Sequence, residues 1–180
     1  MKKIILNLAV SLDGFIATIE GNVDWLNDID MGDSDGGFVE FLEQVDSIIM
    51  GSSSYLTTMK LGKNDWPFKG HKSYVFTKRQ IEQSNYAEFI DSDVEEFIRK
   101  LKEQEGKNIW LFGGGQFIQT VRELNLVDEY FITIIPKLIG NGISLFSKTI
   151  NKNTLALQSV NKRNDVVQLH YKVIDNFPLL

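Results

Sequence analysis

Short runs of apolar residues recur along the first two thirds of the chain, and most of them end at a glycine or a polar turn. Residues 2–10, 47–50, 74–76, 87–90 and 108–112 are rich in Ile, Leu, Val and aromatic side chains, which favours β-strands. The first run is apolar almost throughout, rather than at alternate positions. That pattern is typical of a strand buried on both faces, as in a parallel sheet.

Helices are predicted between these strands. Residues 91–105 carry acidic side chains in the first turn, have Asp91 or Ser92 as a candidate N-cap and are followed by Gly106. Shorter helices are predicted at residues 55–60 and 116–124. A further helix is indicated by apolar side chains at helical spacing, namely Phe38, Phe41, Leu42 and Val45.

The last third of the chain predicts strands alone. Residues 130–135 are strongly β-prone, and residues 155–161 and 166–174 alternate between apolar and polar positions. Residues 162–165 join the last two as a hairpin turn. We find no repeat, low-complexity tract or linker, so residues 1–180 are expected to form a single α/β domain. Its predicted sheet is mostly parallel with an antiparallel C-terminal edge, and helices cover both faces.

Composition narrows the functional classes. The net charge of -5 argues against a nucleic-acid backbone as the main partner. The absence of cysteine excludes disulfides, thiolate metal sites and cysteine nucleophiles. His71 and His170 lack the spacing of metal ligands, so no metal is expected. No apolar window reaches the roughly 18 residues of a membrane span. The apolar run at the N-terminus is also too short for a signal peptide. We expect a cytoplasmic protein without a membrane partner.

The strongest chemical signal is a strand that runs into Gly113, Gly114 and Gly115 and then into a helix. Glycines let a backbone approach a phosphate closely, and a helix N-terminus offers unpaired N–H groups and the positive end of a dipole. The pattern is neither the Rossmann spacing nor a P-loop. A tight strand-to-helix turn without a ligand explains the same residues, and the sequence leaves both interpretations open.

Two further strands end in polar residues. The strand before Gly51 is followed by Ser52, Ser53 and Ser54, which are able to donate to phosphate oxygens. On its own, this segment is better explained by a serine N-cap of the next helix. Another strand ends at the hydroxyl and the two cations of Thr77, Lys78 and Arg79, which suit a ribose phosphate. A solvated basic turn is the alternative.

The first strand breaks at Asp13-Gly14, a turn pair, and resumes as an apolar segment. Asp13 is therefore either a turn residue, which we favour, or a substrate contact. Residues 17–36 then form a polar stretch rich in Gly and Asp that contains Trp25. Loops of this length are usually functional, which predicts a binding loop or lid.

Taken in order and spacing, these segments resemble the dihydrofolate-reductase-like superfamily. The resemblance is greatest to stand-alone relatives of the reductase domain of the bifunctional riboflavin-biosynthesis deaminase-reductase. It covers residues 4 to about 146. The matching segments are residues 9–16, 50–52, 77–79, 113–115 and 126–129, together with the Pro…Gly-x-Gly…Leu-Phe pattern at residues 136–146. The glycine triplet followed by these last two segments is the specific part of the match.

The resemblance implies an α/β three-layer sandwich, a homodimer and NADPH as the cofactor. It places the pyrophosphate over the glycine triplet and the helix after it, at Gly113, Gly114, Gly115, Gln116 and Phe117. It places the adenosine end near Gly51, Ser52, Ser53, Thr77, Lys78 and Arg79. It places the nicotinamide against Ala9, Ile16 and the loop around Trp25.

Three positions depart from the pattern of the family. Ser52 stands where an Arg commonly holds the 2′-phosphate, and Lys78 or Arg79 is the candidate replacement. Selection of NADPH over NADH is therefore an expectation. Asn7 replaces a Lys in the first strand and Phe112 replaces a Glu before the glycines, and both changes speak against the phosphoribosylamino-pyrimidine substrate.

The predicted activity is hydride transfer to a C=N or C=O group of a small molecule, which is pterin-like or pyrimidine-like. A carboxylic acid in an apolar cleft is a suitable proton donor because burial raises its pKa. Asp35 is the first candidate, Asp13 the second and an ordered water the third. Trp25, Trp66 and Phe38 are candidate walls of the substrate pocket, although aromatic residues are more often part of the core. The alternative is a nucleotide-binding module without turnover.

Overall fold

A sheet of eight strands runs through the molecule. A computed structural model describes residues 1–27, 29, 37–82, 84–147 and 152–177, with side chains as far as residue 174. The described strands and helices are β1 (Ile4–Ser11), β2 (Phe15–Ala17), α1 (Phe38–Leu42), β3 (Val45–Gly51), α2 (Ser52–Leu61), β4 (Lys72–Phe76), β5 (Glu88–Ile90), α3 (Val94–Glu103), β6 (Asn108–Gly113), α4 (Gly115–Glu123), β7 (Glu129–Ile135), β8 (Ile143–Ser144), β9 (Lys152–Arg163) and β10 (Val166–Phe177). A short 3-10 turn covers Asp24–Leu26.

The order of the strands in the sheet is β5-β4-β3-β6-β1-β7-β10-β9. The first six are parallel to one another, whereas β10 pairs antiparallel with both β7 and β9. This confirms the predicted parallel sheet with an antiparallel C-terminal edge. The sequence did not predict that β2 and β8 pair as a separate two-stranded sheet. The two strands are only three and two residues long, so they carry little periodicity.

Helices cover both faces of the sheet, as predicted. On one face the core includes Ile98 from α3 and Phe117 from α4. On the other it includes Phe41 from α1, Tyr55 from α2 and the fully buried Trp66. The result is a three-layer α/β sandwich. None of the described helices is long and apolar enough to cross a membrane.

Helix α3 begins later than the sequence pattern predicts. Its N-cap is Asp93, whose Oδ1 accepts a hydrogen bond of 2.8 Å from the backbone N–H of Glu96. The predicted caps, Asp91 and Ser92, lie before the helix. All three residues have side chains suited to capping, and only the backbone path of the preceding segment decides among them.

Three other elements are longer than predicted. Helix α2 begins at Ser52, directly after β3, instead of at residue 55. Strands β9 and β10 each span twelve residues and are joined by Asn164 and Asp165 alone, with Asn164 at φ 47°. The polar residues at the end of β9 had suggested a wider turn, yet cross-strand pairing continues through them.

Candidate functional site

The C-terminal ends of the parallel strands border one large cleft. Its volume is about 1470 Å³, and its lining comes from β1, β3, β4, β6, β7 and β10 and from the first turns of α2 and α4. Ligands of open α/β sheets bind in this position because the strands deliver loops and helix N-termini to the same edge. The cleft is therefore the candidate functional site.

The glycine triplet forms the bend between β6 and α4. Gly114 has φ +86°, a conformation that side chains other than glycine rarely adopt, and it is the N-cap of α4. A Cβ added at Gly115 would lie 2.7 Å from Cγ2 of Ile143. No side chain caps this helix. The first N–H groups of α4 are therefore unpaired where the helix meets the cleft.

A second uncapped helix begins beside the first. Gly51 is the N-cap of α2, and no side chain caps that helix either. The interpretation of a serine N-cap is therefore wrong, because the serines follow the cap and occupy the first turn of the helix. A Cβ on Gly114 would lie 3.8 Å from Cα of Gly51, so the two glycine bends are in contact. Both N-termini point their positive dipole ends toward one region of the cleft.

The end of β4 supplies the cations of the cleft. The backbone N–H of Arg79 donates to Oγ1 of Thr77 at 3.0 Å, which closes a short turn. The side chains of Lys78 and Arg79 are exposed, and both residues border the cleft. The segment is thus a basic turn and also part of the cleft wall, so the two interpretations of its sequence are compatible.

All thirteen residues predicted to bind the cofactor line this one cleft. They are Ala9, Ile16, Gly51, Ser52, Ser53, Thr77, Lys78, Arg79, Gly113, Gly114, Gly115, Gln116 and Phe117. They come from β1, β2 and the ends of β3, β4 and β6 with the helices that follow. The structure therefore brings together residues that are far apart in sequence, while their contacts with a cofactor stay a prediction.

Asp13 has a structural role in the turn after β1. Its carboxylate accepts hydrogen bonds from the Ser11 hydroxyl at 2.6 Å and from the backbone N–H groups of Ile139 at 3.1 Å and Gly140 at 2.7 Å. The bond from Ser11, with those from the backbone, lowers the pKa of Asp13. A proton donor near neutral pH needs a raised pKa, and Asp13 is not among the residues that line the cleft. The favoured turn role fits this geometry.

The predicted substrate-binding residues have different positions. Phe38 lines the cleft, whereas Trp25 does not, although the next residue, Leu26, does. The indole Nε1 of Trp25 is buried. Trp66 belongs to the core, where its Nε1 donates to Oγ of Ser73 at 3.2 Å, so of the two interpretations of this residue the structure fits the core and not the pocket wall. Asp35 lies outside the described residues.

Sequence reasoning missed several residues that line the cleft. These are Phe68, Trp110, Thr133 and Gln168, and they join Asn7 and Phe112, which had been noted only as departures from a family pattern. Thr133 and Gln168 lie on β7 and β10 and pair directly in register. The alternation of β10 places Gln168 on one face, but its partner strand is not readable from the sequence.

Similar proteins share this architecture. The chain is 36% identical to the uncharacterized protein YwjB of Bacillus subtilis (strain 168) over 171 residues, which cover 94% of this chain and 97% of YwjB. A crystal structure from Shewanella sp. PV-4, whose name connects it with riboflavin biosynthesis, has a TM-score of 0.83 at 27% identity and covers 97% of this chain and 100% of its own.

The dihydrofolate reductase of Enterococcus faecalis, solved in complex with NADP(H), has a TM-score of 0.64 at 15% identity over 96% of this chain and 97% of its own. At that identity the likeness shows the fold alone, and the fold is that of dihydrofolate reductase. The family model described as the RibD C-terminal domain matches residues 2–170. The chain belongs to the RibD C-terminal domain family.

Proposed function

We propose that this protein is an NADPH-dependent reductase that transfers a hydride to a C=N or C=O group of a small pterin-like or pyrimidine-like substrate. The observation that carries the proposal is the pair of uncapped helix N-termini, at Gly51 and Gly114, that meet in one cleft. Unpaired N–H groups and two positive dipole ends suit a pyrophosphate. Membership of a reductase family supports the same chemistry.

The residues present fit such a cofactor. The N–H groups at Gly115 and Gln116 would hold one phosphate, and the hydroxyls of Ser52 and Ser53 would donate to the other. Lys78 and Arg79 would hold the 2′-phosphate in place of the Arg that Ser52 replaces. When bound, NADPH supplies the hydride, and the protein supplies position and a proton.

At the nicotinamide end, Ala9 and Ile16 would set the position of the ring beside the sheet, and Phe38 would contact the substrate. Orientation of the reactants can contribute roughly 7–11 kcal/mol to lowering the barrier. Because Asp13 is held by turn hydrogen bonds, Asp35 or a water molecule is the proton donor that we propose.

The central test is Gly114→Ala. Its Cβ would meet only ordinary contacts, 3.4 Å or more from Ser54, Phe117 and Gly51, so the helix is expected to survive. The methyl group and the strain at φ +86° would displace the N–H groups from a bound phosphate. We expect the Kd for NADPH to rise by about tenfold or more, a loss of about 1.4 kcal/mol or more, measured by nucleotide fluorescence.

Gly140→Ala is the matched control. Gly140 also has a positive φ, +73°, and its Cβ would meet nothing within 4 Å. This variant carries a similar backbone cost of roughly 1–2 kcal/mol, but it lies outside the cleft lining. Equal NADPH affinity in the two variants and the wild type would overturn the proposed phosphate site.

Turnover separates the reductase from the alternative, a nucleotide-binding module without catalysis. The loss of Asp13 as a free proton donor is the observation that favours the module. NADPH oxidation should be followed against carbonyl, pterin and pyrimidine substrates. Oxidation with at least one of them supports the reductase, whereas saturable NADPH binding with no oxidation on any supports the module.

We further propose a cytoplasmic, single-domain protein that forms a homodimer. Strand β9 lies at the edge of the sheet with one side unpaired in the described part of the chain. Leu157 and Val160 on that strand are 52% and 55% exposed. An edge strand of twelve residues with exposed apolar side chains is a surface that a second copy would cover.

A further inference from the structure

The floor of the cleft beside Ala9 is a row of three strands. Ala9 on β1 lies opposite Thr133 on β7, and Thr133 lies opposite Gln168 on β10. All three residues line the cleft, so their side chains share the same face of the sheet. If the nicotinamide rests on Ala9, as proposed above, the space over Thr133 and Gln168 is the place for the substrate.

Thr133 and Gln168 form an uncharged hydrogen-bonding pair. Nε2 of Gln168 donates to Oγ1 of Thr133 at 3.3 Å. The hydroxyl of Thr133 keeps its own proton to donate, and the carboxamide of Gln168 keeps an oxygen acceptor and a second N–H. A donor and an acceptor side by side match an amide-type edge, in which a ring C=O lies next to a ring N–H.

Aromatic rings form the neighbouring wall. Phe38, Phe68, Trp110 and Phe112 all line the cleft. Trp110 makes edge contacts with the other three, at centroid distances of 5.4, 5.1 and 4.8 Å. Such a cluster offers ring faces and edges to a flat molecule. The wall therefore favours a planar substrate over a flexible chain.

The cations of the cleft are remote from this floor. Among the described lining residues only Lys78, Arg79 and Glu20 are charged, and the two cations follow β4. Strands β4 and β10 are separated by five strand spacings, or roughly 24 Å. Ionic screening acts over roughly 8 Å at physiological salt, so these cations contribute little at Gln168.

No described residue that lines the cleft at the substrate end carries a positive charge. From Ile4 to Met59 the sequence contains ten Asp and Glu residues and no Lys, Arg or His. Arg163 approaches from β9, but its guanidinium lies beside the Glu40 carboxylate at Gly37. Farther along the same sheet face, Lys3 and His170 both hydrogen-bond to Glu129. An anion at this end would therefore meet no cation among the described lining residues, and Lys3 is already paired with Glu129.

We propose that the substrate is a planar, uncharged molecule recognised through an amide-type edge by Gln168 and Thr133, and that phosphorylated or carboxylated substrates are excluded. This inference rests on the proposed reductase function for the position of the nicotinamide. It assigns specificity to β10, which lies beyond the glycine bends in sequence. The phosphoester substrates of riboflavin-pathway reductases would lack a cationic partner here.

The test uses three pairs of compounds that differ by one anionic group: pterin and 6-carboxypterin, uridine and uridine monophosphate, and riboflavin and flavin mononucleotide. Their Kd values are measured by calorimetry with the wild-type chain, both alone and with saturating NADP⁺. We expect at least one neutral member to bind, and to bind about tenfold or more tightly than its anionic partner. Failure of every neutral member, or equal or tighter binding of the anionic one, overturns the inference.

Variants at Gln168 assign the effect to this residue. Gln168→Leu should weaken binding of the neutral probe by about tenfold through the lost hydrogen bond. Gln168→Lys should reduce the difference in Kd between the neutral and the anionic member of a pair. Gln158→Leu is the control, because Gln158 is an exposed glutamine on β9 outside the lining. Unchanged neutral binding in Gln168→Leu overturns the assignment.

NADP⁺ titrations keep the two proposals separable. If the wild type does not bind NADP⁺, the proposed reductase is contradicted. The probe pairs, measured without nucleotide, would still test whether the site at Gln168 prefers uncharged molecules. Retained NADP⁺ binding with a preference for anionic probes would contradict only the substrate inference.

Discussion

The hydroxyl of Ser11 organises the turn that closes the first strand. It donates to the carboxylate of Asp13 and accepts from the backbone N–H of Phe15 at 2.9 Å, while Asp13 reaches across to Ile139 and Gly140. One hydroxyl and one carboxylate thereby connect segments that are more than 120 residues apart in sequence. The turn also fixes where β2 begins, and with it the position of Ile16 in the cleft.

Asp13→Asn tests whether this residue acts in the turn or in proton transfer. Hydrogen bonding lowers the pKa of Asp13 in the folded chain, so its stabilising effect is present above the pKa of the unfolded chain and is lost as pH falls through the folded value. We expect a lower Tm for the variant at pH 7 and a smaller difference from wild type near pH 3, measured by calorimetry.

The pH profile of NADPH oxidation gives the second readout for Asp13→Asn. A turn role leaves the shape of that profile unchanged. Loss of a titration limb in the variant, with Tm unaffected, would instead assign the proton to Asp13.

Local chemistry explains which site residues were predictable. The backbone angle favours glycine at Gly114 and the lack of space for a Cβ favours it at Gly115, and both requirements are visible as a triplet in the sequence. No local sequence pattern identifies Gln168 as a site residue, because its place in the cleft depends on which strand β10 joins and in which register. Trp66 shows the converse, since a large aromatic is equally suited to a pocket wall and to the core.

At the scale of elements, helix α3 combines several stabilising features. Asp93 caps it, Glu95 and Glu96 occupy its first turn, and Arg99 and Lys100 pair with them at i,i+4 distances of 2.7 and 2.6 Å. The exposed ion pairs contribute little each, so the cap is the largest single local contribution. The existence of the helix was predictable from these charges, and its first residue was not.

Asp93→Ala is expected to destabilise the protein by about 0.5–2 kcal/mol, because the N–H of Glu96 loses its acceptor. At this chain length, the Tm should fall by about 2–4 °C per kcal/mol. Ser92→Ala is the control and should change stability by less than about 0.5 kcal/mol. A larger fall in Tm for Ser92→Ala than for Asp93→Ala would instead support Ser92 as the N-cap.

At the scale of the whole molecule, the β9–β10 hairpin extends the sheet beyond its helical layers. Leu155, Leu157 and Val160 on β9 are exposed, while Leu169, Tyr171 and Val173 on β10 are partly buried. The apolar face thus continues outward past the part of the sheet that the chain itself covers. This is the physical basis of the proposed homodimer.

Leu157→Glu tests the dimer, because a charge in a buried apolar contact is strongly unfavourable. We expect sedimentation velocity at micromolar concentration to show a dimer for the wild type and a monomer for this variant. Leu138→Glu is the control, since Leu138 is 72% exposed and lies in the segment between β7 and β8, not on the hairpin. A monomeric wild type would contradict the dimer outright.

The sheet order separates two tasks along the polypeptide. The glycine bends and the basic turn belong to strands β3, β4 and β6, whereas Thr133 and Gln168 belong to β7 and β10. Under the proposed function, substitutions at Thr133 and Gln168 would therefore change which molecule is reduced and leave the proposed nucleotide site on β3, β4 and β6 intact. Relatives that share one cofactor but differ in substrate would then differ on β7 and β10.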